Sequence, residues 1–98
     1  MTPIRLVDAA AQLPEAWSSR VFAQFGGTRL KLVRMDGSAY PEEVHEDDEG
    51  LLVLDGVMVL RIHSGIVHVG AGELCVIPAG TPHSVEAGSH GTLLILDT

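Results

Sequence analysis

Residues 72–83 read GELCVIPAGTPH, and this stretch decides how the chain folds. Leu74 to Ile77 is a short apolar run of strand character. Pro78 ends it, because proline brings no N–H to a sheet ladder and fixes its own φ. Gly80 supplies a residue free to take positive φ, and Pro82 stiffens the exit. The segment is therefore a strand, a rigid corner and a restart that presents His83 at the head of the next strand. A lone histidine after a turn is more often structural than functional, so His83 gains meaning only beside a second segment.

The same texture extends outward on both sides. The predicted strands are Arg20 to Phe25, Arg29 to Met35, Leu51 to Leu54, Val57 to His63, Ile66 to Val69, Glu73 to Ile77, Ser84 to Ala87 and Leu93 to Asp97. Gly26-Gly27, Asp55-Gly56 and Ser64-Gly65 are hairpin signals, and Gly70-Ala71-Gly72 is a further break. Short strands at this close spacing indicate an all-β sandwich or barrel. Ahead of them, Asp8 is placed to cap a short helix over the alanines that follow, and Pro14 interrupts it. Residues 1–19 form an N-terminal arm and residues 20–98 the barrel domain.

The second segment is EEVHEDDE, residues 42–49, in which six of eight side chains are acidic. By composition alone it is a solvated acidic loop. Geometry adds a sharper expectation. A tight turn over Glu46-Asp47-Asp48 would make His45 and Glu49 opposed residues on paired strands, with Cβ atoms ~5 Å apart. Glu43, two residues before His45, would point to the same face. Three oxygen or nitrogen donors would then converge on one side of a hairpin.

The bulk numbers bound the rest. The chain has 98 residues, one cysteine and a net charge of −7, and 46% of its residues are hydrophobic. That length suits one domain, burying about 60–70% of its unfolded surface. The acidic balance argues against nucleic acid and anionic membrane as partners. No apolar run approaches the ~20 residues of a spanning helix, and the N-terminus lacks secretory character, so a cytoplasmic protein is expected. Cys75 cannot form an internal disulfide and is expected to act as a small buried hydrophobe. His63, His68 and His90 have no motif partners and are expected to be surface or strand histidines.

Taken together, the two segments resemble the two motifs of the cupin superfamily. The first family motif is G-x5-H-x-H-x3,4-E-x6-G, and Gly37, Glu43, His45, Glu49 and Gly56 fit its spacing, with Glu43 where the first histidine stands. The second is G-x5-P-x-G-x2-H-x3-N, and Gly72, Pro78, Gly80 and His83 fit it, with Ala87 in the last position. A second alignment, with four residues between histidine and glutamate, puts Glu42 and Val44 at the two histidine positions instead. The resemblance, closest to small single-domain cupins labelled mannose-6-phosphate isomerase-like, implies a jelly-roll barrel (a double-stranded β-helix). It implies a divalent metal, Fe, Mn, Zn or Ni, held by His45, Glu49 and His83, with Glu43 as fourth ligand. It also implies a homodimer, for which Trp17 of the N-terminal arm, with Val21, Phe22 and Phe25 nearby, offers an apolar contact or else a cover for the barrel's own core. The barrel lining is expected to be largely aliphatic.

Two classes of function follow. One is a metal-dependent enzyme acting on a small organic molecule in the barrel. The other, ranked behind it, is a binding module, to which the altered first motif gives room, or else a metal-free structural dimer. A fold label does not choose between them.

Overall fold

The computed structural model describes residues 1–98. It contains one short helix, α1 (Leu6–Ala11), and eight strands: β1 (Arg20–Phe25), β2 (Thr28–Asp36), β3 (Tyr40–Glu43), β4 (Glu49–Ile62), β5 (Gly65–Gly70), β6 (Leu74–Ile77), β7 (His83–Val85) and β8 (His90–Asp97). All pairings are antiparallel, and the strands form one curled sheet in the order β1-β2-β8-β4-β7-β3, with β5 and β6 also on β4. The fold is the cupin-type jelly roll with a short N-terminal helix.

β4 organises it. Its first part, Glu49 to Leu52, pairs with β6, and its last part, Val57 to Ile62, pairs with β5. β8 runs alongside from Gly50 to Val57, and β7 joins over Leu60 to Ile62. One strand thus carries the chain from one layer of the barrel to the other. The hairpin expected at Asp55-Gly56 is not formed: Leu51–Leu54 and residues 57–62 are parts of the single strand β4, and His63 lies in the turn that follows it. The glycine serves a bend, where the β4–β8 register slips between Val53 and Asp55. Gly56 has φ +81 and lies against Gly91 so closely that a Cβ on Gly56 would stand 2.0 Å from the His90 carbonyl oxygen. Positive φ was legible there; its use was not.

The core lies between the layers. Val33, Met35, Leu51, Val53, Met58, Leu60, Val69, Ile77, Val85 and Leu93 form one buried cluster drawn from six strands. β2 and β8 are covered on both faces, since Leu32 and Leu94 belong to a second cluster with Ala10 and Leu13 of the arm. A helix as short as α1 is not stable alone and forms because this packing holds it. Its expected cap is not seen: Arg5 occupies the N-cap position without a side-chain bond, and Asp8 sits inside the first turn. Cys75 is half-buried against the main core, and burial pushes its thiol pKa up. No helix is long and apolar enough to cross a membrane.

Candidate metal centre

Three elements meet at the barrel mouth. β3, absent from the predicted strands because of its proline and its acidic content, pairs with β7 so that Glu43 faces His83. The predicted hairpin between His45 and Glu49 is therefore not the geometry found. β3 stops at Glu43, His45 lies in the following loop, and Glu49 opens β4, whose partner at that point is Ile77 of β6. The four residues still come together. The loop is latched to the Pro78–Pro82 corner: Gly80 N–H donates to the His45 carbonyl at 2.9 Å, and Ala79 N–H donates to Asp48 Oδ1 at 2.9 Å. Gly80 has φ +75, the freedom its place in the corner requires. The two segments thus fix each other.

Ligand atoms of Glu43, His45 and His83 all lie within 4.8 Å of one another. His45 Nε2 is 3.1 Å from Glu43 Oε2 and 3.8 Å from Glu49 Oε1, and His83 Nε2 is 3.0 Å from Glu49 Oε1. The two imidazole rings are tilted, with centroids 5.4 Å apart. His83 and Glu49 are buried, whereas His45 and Glu43 keep 42% and 39% of their side-chain surface. Glu42 and Val44, the residues favoured by the second alignment, are both exposed.

The His83 ring is oriented by its own turn. Its Nδ1 lies 2.9 Å from the Thr81 carbonyl oxygen. A carbonyl only accepts, so Nδ1 carries the hydrogen and, in the neutral ring, Nε2 offers a lone pair to the cluster. That lone pair faces a carboxylate oxygen, and the two acceptors need a proton or a cation between them. Donor atoms ~2.1 Å from a shared ion stand about 3.0 Å apart on an octahedral edge and about 3.4 Å on a tetrahedral one. The separations of 3.0 and 3.1 Å match the octahedral edge, and the 3.8 Å between His45 and Glu49 is longer than either value. Two imidazoles and two carboxylates without sulfur form a donor set compatible with a divalent metal.

The cluster opens onto a pocket of about 150 Å³. Val33, Leu51, Met58 and Leu93 line it as an apolar floor. The expectation of a mainly aliphatic lining needs correction at the rim, where Trp17 and Tyr40 both contribute, their ring centroids 5.5 Å apart. Trp17 packs on the barrel's own core and is held by hydrogen bonds from its indole N–H to Asp36 Oδ1 (3.1 Å) and Ser38 Oγ (2.9 Å). Trp17 thus covers part of the barrel's own core, and Phe22 joins the second cluster. Glu43 raises the Tyr40 pKa by its negative charge, with burial and a hydrogen bond adding to it. Sequence reasoning also passed over Lys31 and Asp97, which line the same pocket. The available signal was a lysine in step with Val33 and Met35 on an alternating strand.

The fold and the site define a small antiparallel β-barrel with a mixed histidine–carboxylate cluster at its mouth. The cupin-domain family model (Cupin_2) matches residues 32–98, and the chain belongs to that family. Over 60 residues it is 45% identical to quercetin 2,3-dioxygenase of Bacillus subtilis (strain 168), a match covering 60% of this chain and 18% of that protein. The chain thus spans less than a fifth of that relative's length. Among solved structures, a cupin-2 domain protein of Shewanella frigidimarina NCIMB 400 superimposes with a TM-score of 0.87 at 27% identity, over 96% of this chain and 92% of the other. The protein TT1209 of Thermus thermophilus gives 0.74 at 28% identity, over 95% and 93%.

Proposed function

We propose that this cupin holds one divalent cation between Glu43, His45, Glu49 and His83, and uses the site to bind and act on a small organic molecule entering the barrel mouth. The observation that carries the reading is the convergence of Glu43, His45 and His83 at the head of an apolar pocket. An oxygen- and nitrogen-only donor set favours iron, manganese, zinc or nickel. Such an ion supplies Lewis acidity or, if it is iron, dioxygen activation. The chain's own residues do the remainder. Thr81 holds the tautomer of His83, the carboxylates of Glu43 and Glu49 balance cationic charge, and the floor around Met58 and Leu93 keeps water from the ligand. The similarity to a quercetin 2,3-dioxygenase favours oxygen-dependent chemistry within this class. Elemental analysis of the purified wild type beside His45→Ala and His83→Ala tests the site. Metal in the wild type and its loss in both variants supports it; equal metal content in all three defeats it.

A second reading has its own observation. Each carboxylate of the cluster already lies against an imidazole nitrogen, so protons alone can satisfy the network. That supports a barrel binding a small ligand without chemistry. Retention of a small molecule through purification, with no product formed on incubation with metal and oxygen, distinguishes it. A homodimer accompanies either reading: Val21 and Phe25 on β1 leave 47% and 67% of their surface exposed. Sedimentation of the wild type and of Phe25→Ser tests whether that surface is shared between copies.

A further inference from the structure

The barrel mouth has a basic wall that the metal-site reading does not use. Arg29 and Lys31 alternate in step with Val33 and Met35, so they project from the core-facing side of β2. Lys31 Nζ is 2.5 Å from Asp97 Oδ2, and Arg29 Nε is 3.0 Å from Asp97 Oδ1. One carboxylate is thus shared by two cations. The Lys31 and Asp97 side chains are only 17% and 16% exposed. Taking a lysine this far out of water is costly, and its ammonium has three donors of which Asp97 engages one side. Lys31 and Asp97 line the pocket that holds the metal-type cluster. Arg29 and Asp97 line an adjoining hollow with His45 and Glu49.

We propose that Lys31, with Arg29 tethered beside it by Asp97, is the anion receptor of this pocket. The ligand is then a small organic monoanion, whose carboxylate meets Lys31 while its other end reaches Glu43, His45 and His83. One step, the charge count, rests on the metal-site reading. Counting the pocket's own Lys31, Glu43, Glu49 and Asp97 together with Arg29, which Asp97 tethers at its edge, negative charges exceed positive by one; a divalent cation turns this into one positive charge. A monoanion matches that excess. Asp97 has a role in this arrangement beyond neutralising its partners: it keeps two cations together in a mouth bordered by the acidic 42–49 segment.

Calorimetric titration of the zinc-treated protein with benzoate, and with uncharged benzamide of similar shape, tests the receptor. Zinc content is measured on the same samples. Benzoate should bind at least about tenfold more tightly than benzamide. Lys31→Met should bring benzoate down to the level of benzamide, with zinc content and cooperative melting unchanged, and Lys31→Arg should retain most of the preference. Equal binding of the two probes, no binding of benzoate at millimolar concentration, or unchanged benzoate affinity in Lys31→Met overturns the receptor. A wild type that takes up no zinc defeats the metal-site reading separately, and the same two titrations on that protein still decide the role of Lys31.

Discussion

Glu43 and His83 are register partners across the antiparallel pairing of β3 and β7. Residues far apart in the chain thus become neighbours through the sheet ladder, and the first contributes a formal negative charge where the cupin motif has a histidine. In the metal-site reading this replacement affects ion choice more than ion binding. Glu43→Gln removes the charge but keeps the shape, and should weaken divalent-ion affinity by about tenfold or more. Glu43→His keeps a donor without the charge, and should shift preference from manganese towards zinc and nickel. Chelator competition with each metal measures both; affinities unchanged in Glu43→Gln would remove Glu43 from the ligand set.

Asp48 is outside the Glu43–His45–His83 group, yet it should affect it. Its carboxylate receives the Ala79 N–H at 2.9 Å and fastens the His45 loop to the corner that leads into His83. Asp48→Ala should cost about 0.5–1.5 kcal/mol of stability. It should also weaken metal binding through a looser His45, while Asp47→Ala, one residue away and exposed, should do neither. Urea denaturation together with metal titration of the two variants separates a latch from a general loss of acidic charge.

Legibility followed local chemistry and failed where pairing decides. The corner at Pro78–Pro82 was visible because proline and glycine constrain the backbone whatever surrounds them, and His83 followed from it. The strand Tyr40–Glu43 was not visible, since Pro41 and two glutamates have low strand propensity and form a strand only because β7 lies beside them. The Asp55-Gly56 pair has the composition of a hairpin turn, but β8 occupies the neighbouring lane and the chain continues as one strand, bent at a bulge. Spacing brought Glu43, His45, Glu49 and His83 onto one list for the wrong local reason: a hairpin was expected where a loop and three strands meet. Lys31 and Asp97 belong to no motif, and it is the β2–β8 register, with Arg29 opposite Asp97, that brings them to one pocket.

Trp17 is the only tryptophan in the chain, which makes the rim of the pocket directly observable. Asp36 accepts from the Ser38 hydroxyl (2.5 Å), the Ser38 N–H (3.0 Å) and the Trp17 indole (3.1 Å). The Ser38 hydroxyl bond, then the Ser38 backbone bond, are the main reasons the Asp36 carboxyl pKa lies below its ordinary 3.8. A lowered folded-state pKa means stabilisation that is present above the unfolded value and lost as pH falls through the folded one. Tryptophan fluorescence should therefore change below about pH 3.8 as Asp36 takes up its proton. In Asp36→Ala the indole should already emit at longer wavelength at neutral pH. Emission that matches the wild type in Asp36→Ala throughout would show that Asp36 does not hold the ring.

Gly56 and Gly91 are register partners at the bend of β4, and each excludes a side chain on the other's account. A Cβ on Gly56 would lie 2.0 Å from the His90 carbonyl oxygen, and one on Gly91 would lie 2.0 Å from that of Asp55. Both obstacles are backbone atoms that cannot swing aside, and both residues have positive φ, at +81 and +105. Strain and collision can be told apart with Gly72, whose φ of +83 is nearly that of Gly56 but which has nothing within 4 Å. Gly72→Ala should cost only the backbone strain, about 1 kcal/mol. Gly56→Ala should cost that and the collision, about 3 kcal/mol or more, because β4 and β8 must separate where β4 passes between the layers. Urea midpoints of the two variants decide it: equal losses would mean that β8 can yield, and the close contact of these strands would then not be what bends β4.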